Sequence, residues 1–329
     1  MKRSRLTWSV VFLLLLSIPS GVLSTVAASG STSSTVLPAS PPGQLLIVTN
    51  NINETGADDI TDPTDMYNLA QRIAELMPYA PDVLLTSESY SPAADSLAQA
   101  LTDVLGHTYV VAVGSRDFRD IDADRDSAIL LNLDTMRARD SGGYVVIDRP
   151  TTDKGAAHLL VKELKGGARA ALLSVHVGIP SDAEMEYWMR AVGNALVTTY
   201  PNPADRQIED VAGDFNSRRC IAPGREKLVC DTKPFWSFMT GELGFTDSIF
   251  SAAPSEIGQE AKRIDYIFHR GPVLSAASDV EYDSFFTTLT RNQCKAGYNI
   301  GEPPVGCERF YSDHRLVWAL VRADYDSDG

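Results

Sequence analysis

Short apolar runs rich in β-branched residues alternate along the chain with segments of helical periodicity. The run Gln44–Thr49 predicts a buried strand. Met66–Leu76 has apolar side chains at helical spacing and ends before Pro78. Helices are also predicted at Asp95–Leu105, Ala183–Thr199 and Phe235–Gly241. Further strands are predicted at Asp82–Thr86, Tyr109–Val113, Ser127–Leu133, Tyr144–Ile147, Ala157–Glu163, Ala168–Val177, Gln207–Ala212, Ile264–Arg270 and Leu316–Val321.

Several of these strands follow one another without an intervening helix. This mixture predicts an α/β (α+β) fold in which two packed mixed sheets are flanked by helices, in place of one doubly wound sheet. We expect one large domain over residues 44–323, with an acidic tail at 324–329.

The first residues have the pattern of a targeting segment. A basic start is followed by an apolar run at Val10–Leu16 and by small residues at Val26–Ala28. This layout predicts a secretory signal peptide over residues 1–28 and a secreted, extracellular protein. The alternative, a stable membrane anchor, is not expected because the apolar run is too short to span a bilayer. The Ser-, Thr- and Pro-rich residues 29–43 predict a flexible leader.

Charge and cysteine content narrow the picture further. The net charge of −14 argues against binding nucleic acid through bulk charge, although a site metal and a few arginines can supply local positive charge. Four cysteines in an exported chain indicate disulfides, for which three connectivities are open. We favour Cys220–Cys230 and Cys294–Cys307, since each pair brackets a loop-like segment. Zinc is not expected, because the cysteines form no close pairs.

Polar residues follow several of the predicted strands, and α/β proteins place their sites at such strand ends. Together these residues supply the Asn, Glu, Asp and His side chains that phosphodiester hydrolysis needs, for a hard cation, a base and donors to phosphoryl oxygens. Any one of them alone is more simply explained as a turn residue or a helix cap. The segments are Thr49–Asn53, Asp82–Glu88, Ser174–Val177, Gly213–Asn216, Arg263–Phe268 and Tyr311–His314.

In their order and combination these segments resemble the endonuclease/exonuclease/phosphatase superfamily, the DNase I-like group. Gly-Asp-Phe-Asn at Gly213–Asn216 and Ser-Asp-His at Ser312–His314 are the most specific pair of motifs. The resemblance covers nearly all of Leu45–Val321 and implies a DNase I-like four-layer sandwich. It implies an enzyme that depends on Mg²⁺, with Mn²⁺ as a possible substitute. We expect the protein to be a monomer.

The resemblance also implies a metal site. Glu88 would be the principal ligand with Asn51 beside it, and Asp313 would lie at a metal position. Asn53 stands where some relatives carry an acidic ligand. Mg²⁺ keeps several waters, so that one or two protein ligands suffice.

The catalytic roles implied by the resemblance fall on five residues. Asp214 would orient or deprotonate the attacking water, and Asn216 would help to hold phosphate and metal. His314 would contact the scissile phosphate with its tautomer fixed by Asp265, and His176 would donate to a phosphoryl oxygen.

The chain also departs from the family pattern. Ser87 stands where Gln usually precedes the glutamate, and Tyr90 stands where DNase I-like enzymes carry Arg. The strand region Ala128–Leu133 offers no clear Glu partner for His176. Alternating acids at Asp120–Asp126 leave a structural Ca²⁺ open as a hypothesis, although the ligand set of an EF-hand loop is incomplete.

These observations favour a secreted nuclease that acts on DNA by metal-assisted attack of water. Arg218 and Arg219, directly after Gly-Asp-Phe-Asn, could contact phosphates, or could be surface arginines paired with nearby acids. A lipid phosphodiesterase or a phosphomonoesterase, sphingomyelinase-like or inositol-phosphate phosphatase-like, is the alternative that the acidic surface favours. An inactive binding module on the same fold would require loss of a site residue, and the named set is complete.

Overall fold

Two mixed β-sheets form the centre of the molecule in the computed structural model. It describes residues 36–54, 63–89, 91–114, 126–147, 154–177, 182–216, 220–221, 229–230, 234–249, 264–278, 312 and 314–323. The first sheet has six strands, in the order β14 (Val273–Ser278), β15 (Val317–Arg322), β1 (Gln44–Glu54), β2 (Val83–Ser89), β4 (Ala128–Asn132) and β3 (Tyr109–Val113). The second has seven, in the order β12 (Thr246–Asp247), β13 (Asp265–His269), β9 (Ile208–Asp214), β8 (Arg169–His176), β7 (Lys154–Glu163) and β5 (Met136–Ala138), with β6 (Gly143–Ile147) also paired to β7.

The elements alternate as the hydrophobic pattern predicts. The helices are α1 (Pro63–Leu76), α2 (Ser91–Leu105), α3 (Asp182–Thr199) and α4 (Pro234–Ser237), with a 3₁₀ turn at Pro203–Asp205 and a π-helical turn at Phe238–Glu242. The strands are β1 (Gln44–Glu54), β2 (Val83–Ser89), β3 (Tyr109–Val113), β4 (Ala128–Asn132), β5 (Met136–Ala138), β6 (Gly143–Ile147), β7 (Lys154–Glu163), β8 (Arg169–His176), β9 (Ile208–Asp214), β10 (Cys220–Ile221), β11 (Val229–Cys230), β12 (Thr246–Asp247), β13 (Asp265–His269), β14 (Val273–Ser278) and β15 (Val317–Arg322).

Side-chain alternation along the central strands divides the core into layers. In β1, Leu46 and Val48 pack towards α1 and α2, whereas Leu45 and Ile47 pack towards the second sheet. Because successive residues of a strand point to opposite faces, an apolar strand is buried on both sides. A third cluster, which includes Trp188 of α3, covers the outer face of the second sheet. The four-layer sandwich expected from the sequence is thereby confirmed.

The sequence did not predict the short strands β5, β10, β11 and β12, and two further details differ from the sequence-based expectation. Leu37, within the expected leader, is buried against the first helical layer, and Ala39 bridges to Ala80, so packing begins before residue 44. Strand β14 was not predicted, because its sequence Val-Leu-Ser-Ala-Ala-Ser has small residues and no clear alternation.

The segments 1–35, 279–311 and 324–329 lie outside the described residues, and with them the predicted signal peptide, the acidic tail, Cys294 and Cys307. Among the described helices, none is both long and apolar enough to cross a bilayer. Strands β10 and β11 place Cys220 and Cys230 opposite each other on the backbone, and their disulfide stays a prediction.

Candidate active site

Strand register gathers three of the predicted site residues in one row of the second sheet. β8 and β9 run parallel with His176 opposite Asp214, and β13 runs antiparallel to β9 with Asp265 opposite Asp214. Partners opposite each other in a sheet lie within side-chain contact. Residues far apart in sequence therefore meet because the three strands reach this edge in register.

The first sheet supplies the other half of the site through the parallel pair β1 and β2. The Asn51 amide nitrogen donates to Glu88 Oε1 at 2.9 Å and to Asp214 Oδ2 at 3.1 Å. Asn51 is fully buried, so its two hydrogen bonds fix the spacing of two carboxylates that come from different sheets. To act as a metal ligand, Asn51 would have to present its amide oxygen.

Backbone conformation at the strand ends is unusual in the residues expected to be functional. Glu88 and Asn216 are non-glycine residues with φ of 49° and 47°. Such conformations are uncommon and concentrate at functional sites. Gly213, with φ of 141°, lies so close to β8 that a Cβ would sit 1.9 Å from the Val175 carbonyl oxygen. The glycine of Gly-Asp-Phe-Asn is thus required by a close approach of two strands.

Two contacts hold His314 in place, one through its ring and one through its backbone N–H. Its Nδ1 lies 2.9 Å from Asp265 Oδ2, and its backbone N–H donates to Ser312 Oγ at 3.0 Å. Ser312 is buried and donates in turn to the Asn51 carbonyl oxygen. The Ser-Asp-His motif therefore docks onto β1 through its serine and orients its histidine through Asp265. The middle residue, Asp313, lies outside the described residues.

The partner of His176 is a residue that the sequence did not reveal. His176 Nδ1 bonds Asp126 Oδ2, from the residue pair that precedes β4. Asp126 is buried, at 1% exposure, so it is a positioning group and not a surface acid. One carboxylate oxygen of Asp126 contacts His176, and a structural Ca²⁺ in this acidic stretch stays a hypothesis. The other acids of that stretch lie outside the described residues.

Both histidines pair with acids from the opposite sheet. His176, on the second sheet, contacts Asp126 through Nδ1 and lies 3.4 Å from Glu88 Oε1 through Nε2. His314, on the first-sheet side, contacts Asp265. The Nε2 atoms of the two rings each lie 3.8 Å from Asp214 Oδ2. Asp214 is therefore the point on which both imidazoles converge.

Asp214 has the electrostatics of a group prepared to take a proton. Burial and the neighbouring Asp265 carboxylate raise its pKa to about 6, although His314, His176 and the Asn216 N–H partly offset the rise. A carboxylate with a pKa near the working pH is suited to general-base catalysis.

Asn216 acts as a local brace. Its N–H donates to Asp214 Oδ1 at 2.7 Å and its amide nitrogen donates to the Val177 carbonyl at 2.7 Å. The side chain thus ties the end of β9 to the end of β8. Its predicted contact with phosphate or metal stays a prediction.

The residues present suit a hard divalent cation. Ligand atoms of Glu88, His176 and Asp214 lie within 4.8 Å of one another, as do those of Asp214, Asp265 and His314. Four carboxylates face two imidazoles here, which leaves an excess of negative charge that a cation would offset. The oxygen-rich donor set suits Mg²⁺ or Mn²⁺ better than a soft metal.

A two-sheet sandwich whose strand ends join carboxylates to two oriented imidazoles defines the class of metal-dependent phosphoester hydrolases. The sequence profile of the endonuclease/exonuclease/phosphatase family matches residues 51–314. The chain belongs to this family, and it is an enzyme of that hydrolase class.

Solved structures share the fold at low identity. A family protein from Bacteroides thetaiotaomicron is 15% identical, with 85% of this chain and 95% of that chain covered and a TM-score of 0.55. Mannosyl-6-phosphatase from Bacteroides thetaiotaomicron is also 15% identical, with 84% and 99% covered and a TM-score of 0.53. The human Nocturnin catalytic domain with bound sulfate is 12% identical, with 85% and 94% covered and a TM-score of 0.51. Among curated protein sequences, none matches the chain.

Proposed function

We propose that this protein is a secreted, Mg²⁺-dependent phosphodiesterase whose substrate is DNA. The observation that carries the proposal is the convergence of two His–carboxylate pairs on Asp214. Because each Nδ1 is bonded to a carboxylate, each ring is held with its Nε2 towards Asp214, where a protonated Nε2 would donate to a phosphoryl oxygen.

Asp214 would accept the proton of the attacking water. The bond from the water oxygen to phosphorus forms as the bond to the leaving oxygen breaks, with the two oxygens in line. Glu88, with Asn51 beside it, would hold the cation. When bound, the cation neutralises charge that develops on the phosphate and the leaving oxygen.

His176 and His314 would stabilise the equatorial oxygens in this step. Their carboxylate partners keep them oriented before substrate arrives, so that no reorganisation is needed during the reaction. Donors fixed in this way contribute on the order of 3 kcal/mol each to transition-state stabilisation.

DNA is favoured as substrate by the sequence beside the site. Arg218 and Arg219, which lie outside the described residues, come soon after Gly-Asp-Phe-Asn in the sequence and supply the positive charge that contacts to DNA phosphates require. Secretion is favoured by the N-terminal pattern of residues 1–28. Intact-mass analysis of the protein exported by a secreting host would check this. We expect the loss of about 28 residues, and retention of the predicted signal peptide would contradict secretion by this route.

Phosphomonoester or lipid phosphodiester hydrolysis is the second candidate. The net charge of −14 suits a small or zwitterionic substrate better than a long polyanion, and one structural relative is a mannosyl-6-phosphatase. A small substrate would not need the flanking arginines.

A substrate panel separates the two. Plasmid DNA, a sugar phosphate, sphingomyelin and an inositol phosphate would be offered with Mg²⁺ and with EDTA. We expect the protein to nick plasmid DNA in a reaction that EDTA stops. The rate of nicking should fall by about a hundredfold or more in Glu88→Gln. Glu242→Gln, at an exposed glutamate, is the matched control and should retain full activity. Faster turnover of any other substrate than of DNA would overturn the DNA assignment.

A further inference from the structure

Three cations stand side by side across neighbouring strands of the second sheet, far from the catalytic residues. Arg137 of β5 is opposite Lys162 of β7, and Lys162 is opposite Arg169 of β8. We call these three residues the basic row. Arg137 and Lys162 are exposed, and Arg169 is partly exposed.

The basic row lies on the outer face of its sheet. In β8, Ala171 and Leu173 belong to the outer core cluster, and Arg169 shares their side because alternate residues face the same way. Lys162 and Arg137 follow from the register. None of the three is therefore part of the packing between the sheets.

Local charge at the row is not balanced. Among the described residues, Arg137 and Lys162 make no ion pair, and Arg169 shares Asp205 with Arg139. Lys165, in the turn after β7, is a further exposed cation without an ion pair among the described residues. Like charges directly opposite in a sheet destabilise it. On a chain of net charge −14, such a row has a structural cost that is consistent with a binding role.

We propose that the basic row is a second contact for the phosphates of a DNA strand, an anion-binding exosite apart from the catalytic centre. The exosite rests on the proposed function, because the polyanion that it would bind is the DNA substrate. Charge complementarity supports it, since Arg and Lys side chains are among the groups that position a protein on a phosphate backbone.

The separation of the two sites sets a length requirement. Arg169 begins β8 and His176 ends it, so the sites lie roughly 23 Å apart along the strand at its usual rise. A DNA strand needs about seven nucleotides to cover that span. Substrates shorter than this would engage the catalytic centre alone.

The test compares two double variants of equal charge change in the full chain. Arg137→Gln/Lys162→Gln removes the unpaired members of the row and leaves Arg169 with its contacts to Asp205 and the Ala204 carbonyl. Arg190→Gln/Arg322→Gln is the control, at exposed cations on α3 and β15. Binding is measured by fluorescence anisotropy with a 30-nucleotide and a 5-nucleotide DNA, in EDTA to prevent cleavage.

We expect the row variant to bind the long DNA roughly tenfold or more weakly at 50 mM salt, with the slope of log K against log salt reduced by about 1.4 to 1.8. Binding of the short DNA should be equal in all three proteins. Equal binding of the long DNA by row variant and control would overturn the exosite. Tighter binding of the wild type to anionic vesicles than to DNA, lost in the row variant, would overturn the nucleic-acid assignment.

Failure of the exosite and failure of the proposed function are distinguishable. Hydrolysis of bis(p-nitrophenyl) phosphate with Mg²⁺ reports the catalytic centre alone and should be unchanged in the row variant. Loss of DNA binding with this activity intact supports the exosite. Absence of DNA nicking by the wild type would instead count against the nuclease.

Discussion

Asp214 and Asp265 face each other across adjacent antiparallel strands, which places two buried carboxylates side by side at the base of the site. Burial of Asp214, and then the nearby Asp265 carboxylate, raise the pKa of Asp214 to about 6. Because the folded pKa lies above the usual value, this carboxyl stabilises the fold below the unfolded-state pKa. The contribution is lost as pH rises through about 6, and amounts to about 3 kcal/mol.

The metal-free protein should therefore lose stability between about pH 4 and pH 7 from this group. Differential scanning calorimetry in EDTA would show the fall, and Asp214→Asn should flatten it. Addition of Mg²⁺ near neutral pH should raise the melting temperature of both proteins, because Glu88, the proposed principal ligand, is present in each. A melting curve of Asp214→Asn with the same pH dependence as the wild type would contradict this assignment.

Asp126 is expected to act through His176. In Asp126→Asn the imidazole loses the carboxylate that orients it, and kcat should fall about 10- to 100-fold with little change in KM. Asp126→Glu should recover part of the loss, which a merely structural role would not produce. Asp134→Asn is the matched control, because Asp134 bonds His107 at 3.0 Å at the surface. Steady-state kinetics on one substrate would test this role. An unchanged kcat in Asp126→Asn would show that Asp126 does not act through His176 in catalysis.

Gly213 should tolerate no side chain. The Cβ of Gly213→Ala would meet the Val175 carbonyl oxygen at 1.9 Å in a conformation with φ of 141°. We expect a loss of more than about 3 kcal/mol of stability in urea unfolding. Gly241→Ala, with open space around its Cβ, should change stability by less than about 1 kcal/mol. Similar stability for both variants would show that β8 and β9 separate easily.

Cys220 and Cys230 should form a disulfide, since β10 and β11 place them opposite each other. Peptide mapping without reductant would show the linked peptides. Reduction should cost about 3 kcal/mol by loop-closure entropy. A Cys220→Ser/Cys230→Ser variant should be insensitive to reductant, and thiol labelling of both cysteines in the native wild type would refute the pair.

The positions of most strands and most site residues follow from the sequence, because each site residue lies at the end of an apolar run that periodicity locates. Glu88, Asp214 and Asp265 are all of this kind. The distances between these three side chains could not be predicted, because they depend on the register of strands that are far apart in the sequence. The family resemblance supplied what periodicity lacks, namely which strand ends meet.

Asp126 could not be found in this way. It stands in a polar stretch of alternating acids, and nothing local separates it from Asp120, Asp122 or Asp124. Its identity is decided by β4 lying next to β2 in the first sheet and by His176 reaching across from the second. The basic row is not predictable from the sequence either, because Arg137, Lys162 and Arg169 become neighbours only through strand pairing.

Each imidazole is anchored to an acid that a different layer of the sandwich carries. A small sliding of one sheet against the other, too small to expose the core, would separate both His–carboxylate pairs at once. Hydrolysis would then stop while the chain stayed folded. Loss of turnover should therefore precede global unfolding on heating, and mild perturbants should inactivate the enzyme before they melt it.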